Sequence, residues 1–246
     1  MLKMLLRPFS KKYATHYFAC SNLCGEWLYG KKILTNPNYF KINNAIQYER
    51  YLYNETYRKE LKNKHGLTDE FVVGTIGRLE PQKNQLFLLD IFAAILKYKS
   101  NAKLFIIGDG YLFADLNDKI NKLNLKDNVI ILTSKEVGVR GSALKYYSLF
   151  DCFVLPSLYE GLPTVGIEAQ INTLPCFMSD IITTETKISD RCDFISLSKS
   201  CEEWAKTIIK NSNVERTNKF ECQEYDVKVQ AKLLEKLYNK FLQEDK

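Results

Sequence analysis

Two cationic side chains lie close together in the stretch Gly77-Arg78-Leu79-Glu80-Pro81-Gln82-Lys83-Asn84. A guanidinium such as that of Arg78 binds phosphate oxygens as a planar fork, and an ammonium such as that of Lys83 binds them as a point charge. Gly77 allows the backbone to turn sharply before Arg78. The stretch could therefore clamp a diphosphate. The alternative is a loop that is basic only because it is exposed, and residue types alone favour that alternative.

A second stretch, Ser157-Leu158-Tyr159-Glu160-Gly161-Leu162-Pro163-Thr164, combines a carboxylate with the signature of a helix start. Proline suits the first helical position, so we expect the helix to begin near Pro163 or Thr164. The backbone N–H groups and the dipole of a helix start favour a bound phosphate. Glu160 would repel that phosphate unless its carboxylate has another partner, such as sugar hydroxyls.

Glu168 lies further along the same predicted helix, in Val165-Gly166-Ile167-Glu168-Ala169. An acidic side chain on an apolar segment is rarely buried without a partner. A ribose diol would provide one, by donating two hydrogen bonds to the carboxylate, and a surface salt bridge is the alternative. The turn Gly108-Asp109-Gly110 is weaker evidence. It matches neither G-x-G-x-x-G nor a P-loop, so dinucleotide oxidoreductases and P-loop kinases lose their main support.

The elements that must position these stretches are short apolar runs alternating with segments of helical periodicity. The runs predict strands at 71–76, 103–107, 129–132, 152–155, 176–178 and 194–197. Such an alternation predicts a Rossmann-like α/β domain, in which a parallel sheet carries helices on both faces. Ligands bind at the carboxyl ends of these strands. The stretches at 77–84, 108–110 and 157–164 each follow a predicted strand, so all three fall there. Their position therefore favours the functional interpretation.

The segments at either end of this domain are shorter. Before Phe71 the sequence predicts strands at 13–20 and 39–42, a short helix at 26–29 and a charged helix at 54–64. A strongly amphipathic helix is predicted over 226–242, and its apolar face must pack on something. That face contains Val229, Leu233, Leu234, Leu237, Tyr238 and Phe241.

Taken together, G-R-L-E-P-Q-K-N, I-I-G-D-G and L-P-S-L-Y-E-G-L-P-T-V-G-I-E-A resemble the group-1 glycosyltransferases of bacterial capsular and exopolysaccharide assembly. These retaining enzymes have two Rossmann-like domains. Glu160 and Glu168, with seven residues between them, match their E-x7-E signature. The upstream A-T-H-Y-F-A-C-S, W-L-Y-G and N-N-A-I also resemble members of the family, so the resemblance extends over nearly the whole chain.

The resemblance implies a role for each candidate residue. Arg78 and Lys83 would hold the diphosphate of a nucleoside-diphosphate sugar, Glu168 would bind the ribose hydroxyls, and Glu160 would contact the donor sugar. The phosphate site would be completed by Gly77, Gly161, Leu162, Pro163 and Thr164. Glu160, Arg78 and Lys83 would form the catalytic set. No cofactor and no catalytic metal are expected, because the two cations would stabilise the leaving group.

The reaction that the resemblance implies moves a hexose, with retention, from a nucleoside-diphosphate sugar, expected to be a UDP-sugar, to a polysaccharide or lipid-linked glycan acceptor. Residues 1–43 are then expected to be a remnant of the amino-terminal acceptor domain. Residues 44–225 would form the nucleotide-sugar-binding domain, and residues 226–246 a helix that crosses back. A truncated reading frame, or a second polypeptide that supplies the acceptor domain, would account for the short amino terminus. The loop at 133–142 is longer than expected, which leaves the base unassigned.

Two other functions stay open at this point. A nucleotide-sugar 2-epimerase shares the same architecture, although it would need more acid–base residues than the two histidines of this chain provide. A non-catalytic nucleotide-binding subunit that needs a partner chain is the second. His16 falls in a predicted strand, and we interpret it as a structural or solvent-facing histidine rather than a catalytic one.

The composition of the chain indicates which cell compartment and which classes of partner to expect. The chain has 35 basic and 29 acidic residues that are interspersed, so nucleic acid is not indicated. Seven cysteines without a C-x-x-C pair predict a reducing cytoplasm rather than a disulfide framework. No stretch approaches the roughly 20 apolar residues of a membrane span. The opening segment contains Lys3, Arg7, Lys11 and Lys12, which favour either peripheral contact with the inner membrane face or a solvated helix face.

Overall fold

The computed structural model describes residue 9 and residues 12–138, 143–220 and 223–244. Lys3, Arg7, Lys11 and part of the loop at 133–142 lie outside the described residues. The chain divides into two compact units. Residues 49–221 form the larger unit, and the described residues up to Tyr48 form the smaller unit together with those from Gln223 onward.

The smaller unit begins with two short parallel strands, β1 (Tyr17–Ala19) and β2 (Tyr39–Lys41). Between them lie helix α1 (Asn22–Tyr29) and a 3-10 helix (Lys31–Thr35). Helix α1 begins four residues before the predicted helix at 26–29, because the Ser21 side chain caps it by accepting a hydrogen bond from the Cys24 amide. Strand β1 is shorter than the predicted strand at 13–20.

The larger unit contains a six-stranded parallel sheet, and this confirms the predicted Rossmann-like fold. The strand order is β5-β4-β3-β6-β7-β8, so the order reverses between β3 and β6. The strands are β3 (Val72–Ile76), β4 (Lys103–Ile107), β5 (Val129–Leu132), β6 (Cys152–Leu155), β7 (Cys176–Ser179) and β8 (Cys192–Ile195). Strand β8 lies two residues before its predicted position, because pairing with β7 aligns Cys192 with Cys176.

Helices cover both faces of this sheet, as predicted. Alternate strand residues belong to two separate cores, with Val73 and Leu104 in one and Val72 and Phe105 in the other. The first core is completed by α3 (Gln85–Leu96), α4 (Phe113–Lys122) and α8 (Cys201–Asn211). The second is completed by α2 (Glu55–His65), the one-turn helix α6 (Tyr146–Leu149) and α7 (Thr164–Ile171). A further short helix is α5 (Ser134–Val137).

Several 3-10 helices connect these elements, namely Tyr48–Tyr51, Pro81–Lys83, Ala143–Lys145, Thr184–Thr186 and Gln223–Tyr225. Helix α9 (Val227–Glu244) follows in the smaller unit. In α9, Phe241 packs against the rings of His16 and Phe40, as expected for a structural histidine. The predicted apolar face is split, because Val229 and Leu233 are exposed. Among the helices that the structure describes, none combines the length and the apolar character needed to cross a bilayer.

Candidate functional site

Two loops meet where the strand order reverses. We call residues 77–84, which follow β3, the Lys83 loop, and residues 156–164, which follow β6, the Glu160 loop. The Leu158 amide donates to the Gln82 carbonyl over 2.8 Å, and the Asn84 side-chain amide donates to the Pro156 carbonyl over 3.0 Å. These bonds fix the two loops against each other at the carboxyl edge of the sheet, which is where such folds bind ligands.

The centre of this junction is an ion pair. The Lys83 Nζ atom lies 2.5 Å from Glu160 Oε1, and the two side chains are only 12% and 8% exposed. Gln82 Nε2 donates to Glu160 Oε2 over 3.1 Å, and Ser157 Oγ donates to Oε1 over 2.9 Å. The carboxylate is thus held by an ammonium, an amide and a hydroxyl. Sequence reasoning required a partner for Glu160, and the structure supplies Lys83.

Arg78 is placed differently. Its guanidinium pairs with Glu80 over 2.9 Å, and the side chain is 64% exposed. A second bond, of 3.3 Å, runs from Arg78 Nη2 to Gln82 Oε1. Gln82 therefore contacts both Arg78 and Glu160, and it joins the exposed cation to the buried ion pair.

The glycines of the site allow close packing. The backbone bends at Gly77, as predicted, although it stays outside the positive-φ region. A Cβ atom on Gly77 would come within 3.3 Å of Lys83 Cε, so Gly77 leaves room for the lysine stem. Gly108 has φ 155°, and a Cβ atom there would lie 1.9 Å from the Gly77 carbonyl oxygen. The turn after β4 therefore packs directly against the Lys83 loop, and the Leu79 amide donates to the Asp109 carbonyl over 2.8 Å.

A cavity of about 310 Å³ opens where the turn after β4 meets the Lys83 loop, and we call it the Arg78 cavity. Asp109 Oδ1 accepts a bond of 3.1 Å from the Ser134 amide, which brings the start of α5 to the cavity. The cavity is lined by Ile76, Gly77, Arg78, Ile107, Gly108, Asp109, Ser134, Val137, Gly138 and Ala143.

A second cavity, of about 280 Å³, contains Glu168 and shares Ile76 and Ala143 with the first. We call it the Glu168 cavity, and its other lining residues are Arg50, Tyr51, Leu144 and Tyr147. The Tyr147 hydroxyl donates to Glu168 Oε2 over 2.7 Å. Burial raises the pKa of Glu168, and hydrogen bonds from Tyr147 and Tyr51 oppose that rise. The partners of Glu168 are therefore phenols within the fold, and the surface salt bridge considered from the sequence is not what the structure shows.

Helix α7 connects the two glutamates. It begins at Thr164, with Pro163 as its N-cap and no side-chain cap bond. Pro163 thus precedes the first helical position that the sequence predicted for it. Leu162 and Pro163 are buried, whereas Gly161 and Thr164 are half-buried. The start of this eight-residue helix follows Glu160 directly, as expected.

The family model "Glycosyl transferases group 1" matches residues 57–221, which include all six strands of the large sheet. The chain belongs to the group 1 glycosyltransferases. This confirms the family that the three motifs indicated.

Several relatives support this assignment. EpsF of Bacillus subtilis (strain 168) is 32% identical over 197 residues, covering 79% of this chain and 50% of EpsF. An Escherichia coli UDP-Gal:alpha-D-GlcNAc-diphosphoundecaprenol alpha-1,3-galactosyltransferase is 36% identical over 116 residues, covering 46% of this chain and 29% of that enzyme. The capsular polysaccharide biosynthesis glycosyltransferase CapM of Staphylococcus aureus is 28% identical over 219 residues, covering 83% and 55%. The chain spans about half the length, or less, of these relatives.

The glycosyltransferase fold is also found among solved structures. Anabaena HepE, in complex with UDP and glucose, superposes with a TM-score of 0.77 over 96% of this chain and 66% of HepE. The sequences are 17% identical in this alignment, so the likeness establishes the shared fold.

Sequence reasoning missed the residues that hold the two glutamates in this member of the family. Gln82 lies within the motif G-R-L-E-P-Q-K-N, but no role was predicted for it. Tyr51 and Tyr147 lie outside every motif considered, and Tyr147 is 21 positions from Glu168 in the chain. The only signal was the requirement that a mostly buried acid have a partner.

Proposed function

We propose that this chain binds a nucleoside-diphosphate sugar, with UDP as the nucleotide, and takes part in the transfer of a hexose with retention. The acceptor would be a polysaccharide or a lipid-linked glycan. The observation that carries the proposal is the Lys83–Glu160 pair, placed where the strand order reverses. The Lys83 stem packs against Gly77, which lines the Arg78 cavity. The UDP and glucose of the HepE complex, and the UDP-Gal in the name of the E. coli relative, support the choice of donor.

The diphosphate would bind at the Arg78 cavity. An ammonium has three N–H donors, so Lys83 could keep its bond to Glu160 and donate a second bond to a phosphate oxygen. Arg78 is exposed and would turn from Glu80 to the phosphate. Arg78 would neutralise the charge that develops on the leaving diphosphate, and Lys83 would donate a hydrogen bond to it, so no catalytic metal enters the proposal. Leu162 and Thr164, at the start of α7, would supply backbone N–H donors, and the helix dipole would add to them, whereas Pro163 has no N–H to donate.

Glu160 would contact the donor sugar. Its neutralisation by Lys83 resolves the difficulty of a carboxylate beside a phosphate site, because the pair carries no net charge. Hydroxyls of the hexose could then donate to the lone pairs that Gln82 and Ser157 leave open. Transfer with retention would take place on the face of the sugar that the leaving diphosphate occupies.

Glu168 would bind the ribose. Its carboxylate lines a cavity that shares two residues with the Arg78 cavity, so a nucleotide could reach both. The ribose diol would donate to the carboxylate lone pairs that remain beside the tyrosine bonds. A hydrogen bond to a charged group contributes roughly 1.5–3 kcal/mol, which makes this contact important for affinity.

The acceptor site is a further part of the proposal. The matches cover 50% of EpsF and 55% of CapM, and acceptor contacts would come from the unmatched part of such a protein or from a second polypeptide. Peripheral contact with the inner membrane face through the basic opening segment belongs to the same proposal. Binding to anionic lipid vesicles, compared with neutral ones, would test the membrane contact.

Calorimetry with UDP tests the donor site. We expect Arg78→Ala, Lys83→Ala and Glu168→Ala each to weaken UDP binding by about ten- to a hundredfold, since each removes a charged hydrogen-bond partner. Glu160→Ala should leave UDP affinity unchanged or raise it, because its proposed partner is the sugar and its loss frees Lys83. Equal losses for Glu160→Ala and Glu168→Ala would contradict this division of roles.

Transfer assays separate the remaining functions. Radiolabelled UDP-hexoses are incubated with and without lipid-linked glycan acceptors, in the presence of the residues that complete the relatives' length. Label in the acceptor supports a transferase, and the anomeric configuration of the product reports retention. An epimerised nucleotide sugar would indicate the 2-epimerase, and UDP binding without turnover would indicate a binding subunit.

A further inference from the structure

Tyr147 is not one of the residues proposed to bind the nucleotide sugar, but it hydrogen-bonds directly to Glu168, the proposed ribose-binding residue. Tyr147 is 1% exposed, and its hydroxyl donates to Glu168 Oε2 over 2.7 Å. Burial and the nearby Glu168 carboxylate raise the pKa of Tyr147 well above its ordinary value, so the phenol stays protonated and remains a donor. The carboxylate therefore has one of its oxygens fixed before any ligand arrives.

The helix that carries Tyr147 is anchored by two arginines. Arg58 Nη1 donates to the Leu149 carbonyl over 2.7 Å, and Arg216 Nη1 donates to the Phe150 carbonyl over 2.6 Å. Cations at these positions satisfy the carbonyls at the end of α6 and complement the negative end of its dipole. A single helical turn is marginal alone, so these bonds keep the Tyr147 hydroxyl in place.

Tyr51 supports the same carboxylate from a different element. Its side chain also hydrogen-bonds Glu168, and burial raises the pKa of Tyr51 to about 12. The Asn172 side-chain amide donates to the Tyr51 carbonyl over 2.6 Å. Asn172 caps the end of α7, the helix that carries Glu168, so Tyr51 and Glu168 are joined through the backbone as well.

We propose that Tyr147, assisted by Tyr51, is a positioning residue that orients the Glu168 carboxylate toward the ribose and thereby sets the preference of the site for an intact ribose diol. The inference rests on the proposed role of Glu168. A carboxylate held by two phenols loses little rotational freedom when the diol binds. Its remaining lone pairs then match two adjacent hydroxyls.

The neighbouring tyrosine provides a matched control. Tyr146 lies in the same turn and is 2% exposed, but its hydroxyl bonds to His65 Nε2 over 3.0 Å. Tyr146→Phe and Tyr147→Phe therefore remove the same atom from the same helix. Only Tyr147→Phe removes a bond to Glu168.

The test measures a ratio of affinities. Calorimetry compares UDP with 2′,3′-dideoxy-UDP for the wild type, Tyr147→Phe, Tyr146→Phe and Glu168→Gln. We expect the wild type to prefer UDP by about tenfold or more, and Tyr147→Phe to reduce that preference by about two- to tenfold. Tyr146→Phe should keep the wild-type preference, and thermal melts check that each variant is folded. Tyr51→Phe should reduce the preference to a smaller extent.

The outcomes separate this inference from the ribose assignment. A preference that collapses in Glu168→Gln but persists in Tyr147→Phe overturns the positioning role alone. Equal reductions in Tyr146→Phe and Tyr147→Phe also overturn it, since they would indicate packing of α6. A wild type that binds both nucleotides equally overturns the ribose assignment and the inference with it.

Discussion

The two glutamates of the proposed donor site are held in opposite ways. Glu160 lies against an ammonium, with Gln82 and Ser157 completing its partners. Glu168 lies mostly buried against two phenols, and burial raises its pKa. A cation compensates the charge of the first, whereas hydrogen bonds only partly compensate the charge of the second. The same chemical change at the two positions should therefore have opposite effects on stability.

A bound ligand should also affect the two glutamates differently. At Glu160 the charge is already balanced, so a sugar adds hydrogen bonds to a preformed pair. At Glu168 the ionised carboxylate is costly until further donors arrive, so a diol would relieve a cost that the empty fold carries. Binding sites often retain such unfavourable groups, since function rather than stability selects them.

The largest effect should come from breaking the ion pair. Lys83→Met leaves a carboxylate that is 8% exposed without its cation, and we expect a loss of about 3 kcal/mol in the free energy of unfolding. Urea denaturation measures this loss. The double variant Lys83→Met/Glu160→Gln should recover most of it, because neither charge is then left alone. If Lys83→Met unfolds at the same urea concentration as the wild type, the Lys83–Glu160 pair does not stabilise the fold.

Much of the large sheet could be predicted from the sequence. The apolar runs that form β3 to β7 are bounded by polar or turn residues, so each strand is visible locally. Strand β8 was misplaced because its ends depend on its register with β7, which no local pattern encodes. The face of α9 was wrong in part for a similar reason, since the ring cluster around Phe241 decides which side packs.

The charged residues of the candidate site could be proposed from the sequence, but the residues that hydrogen-bond to them could not. Arg78, Lys83, Glu160 and Glu168 were proposed as site residues from their residue types, their positions near strand ends and the family resemblance, and their binding roles stay predictions. Their partners are set by how elements meet in space. Tyr147 reaches Glu168 only because α6 packs beside α7 on one face of the sheet. The requirement for a partner was predictable, whereas the identity of the partner was not.

The second-largest effect is expected at Arg78, where a substitution should lower UDP affinity but leave the free energy of unfolding nearly unchanged. Arg78→Ala should weaken UDP binding by about tenfold, or 1.4 kcal/mol, while the free energy of unfolding changes by less than about 0.5 kcal/mol. The guanidinium is largely exposed to solvent, so the fold does not depend on it. Lys97→Ala is the control, because Lys97 is an exposed cation paired with Glu202 away from both cavities. Calorimetry and urea denaturation together measure both quantities, and equal UDP losses for the two variants would indicate non-specific charge attraction.

A smaller effect, opposite in sign to that at Lys83, is expected at the buried carboxylate. Glu168→Gln removes a charge that burial disfavours, so the variant should be more stable than the wild type by about 1 kcal/mol near pH 7.5. A raised pKa in the folded state favours the protonated form at low pH and loses that advantage as pH rises. The gain of the variant should therefore fade as pH falls. Thermal melts across pH measure it, and a variant less stable than the wild type at every pH would contradict the comparison.

The smallest effect concerns the pH dependence of nucleotide affinity. Because the pKa of Glu168 is raised, its carboxylate takes up a proton at a higher pH than an ordinary glutamate does, and it then loses acceptor capacity for the ribose. Wild-type affinity for UDP should thus fall by about threefold more than that of Glu168→Gln between pH 8 and pH 5. The phosphate of UDP also gains a proton in this range, and that loss is common to both proteins. Calorimetry over this range decides the matter, since parallel curves for the wild type and Glu168→Gln would place the titrating group elsewhere.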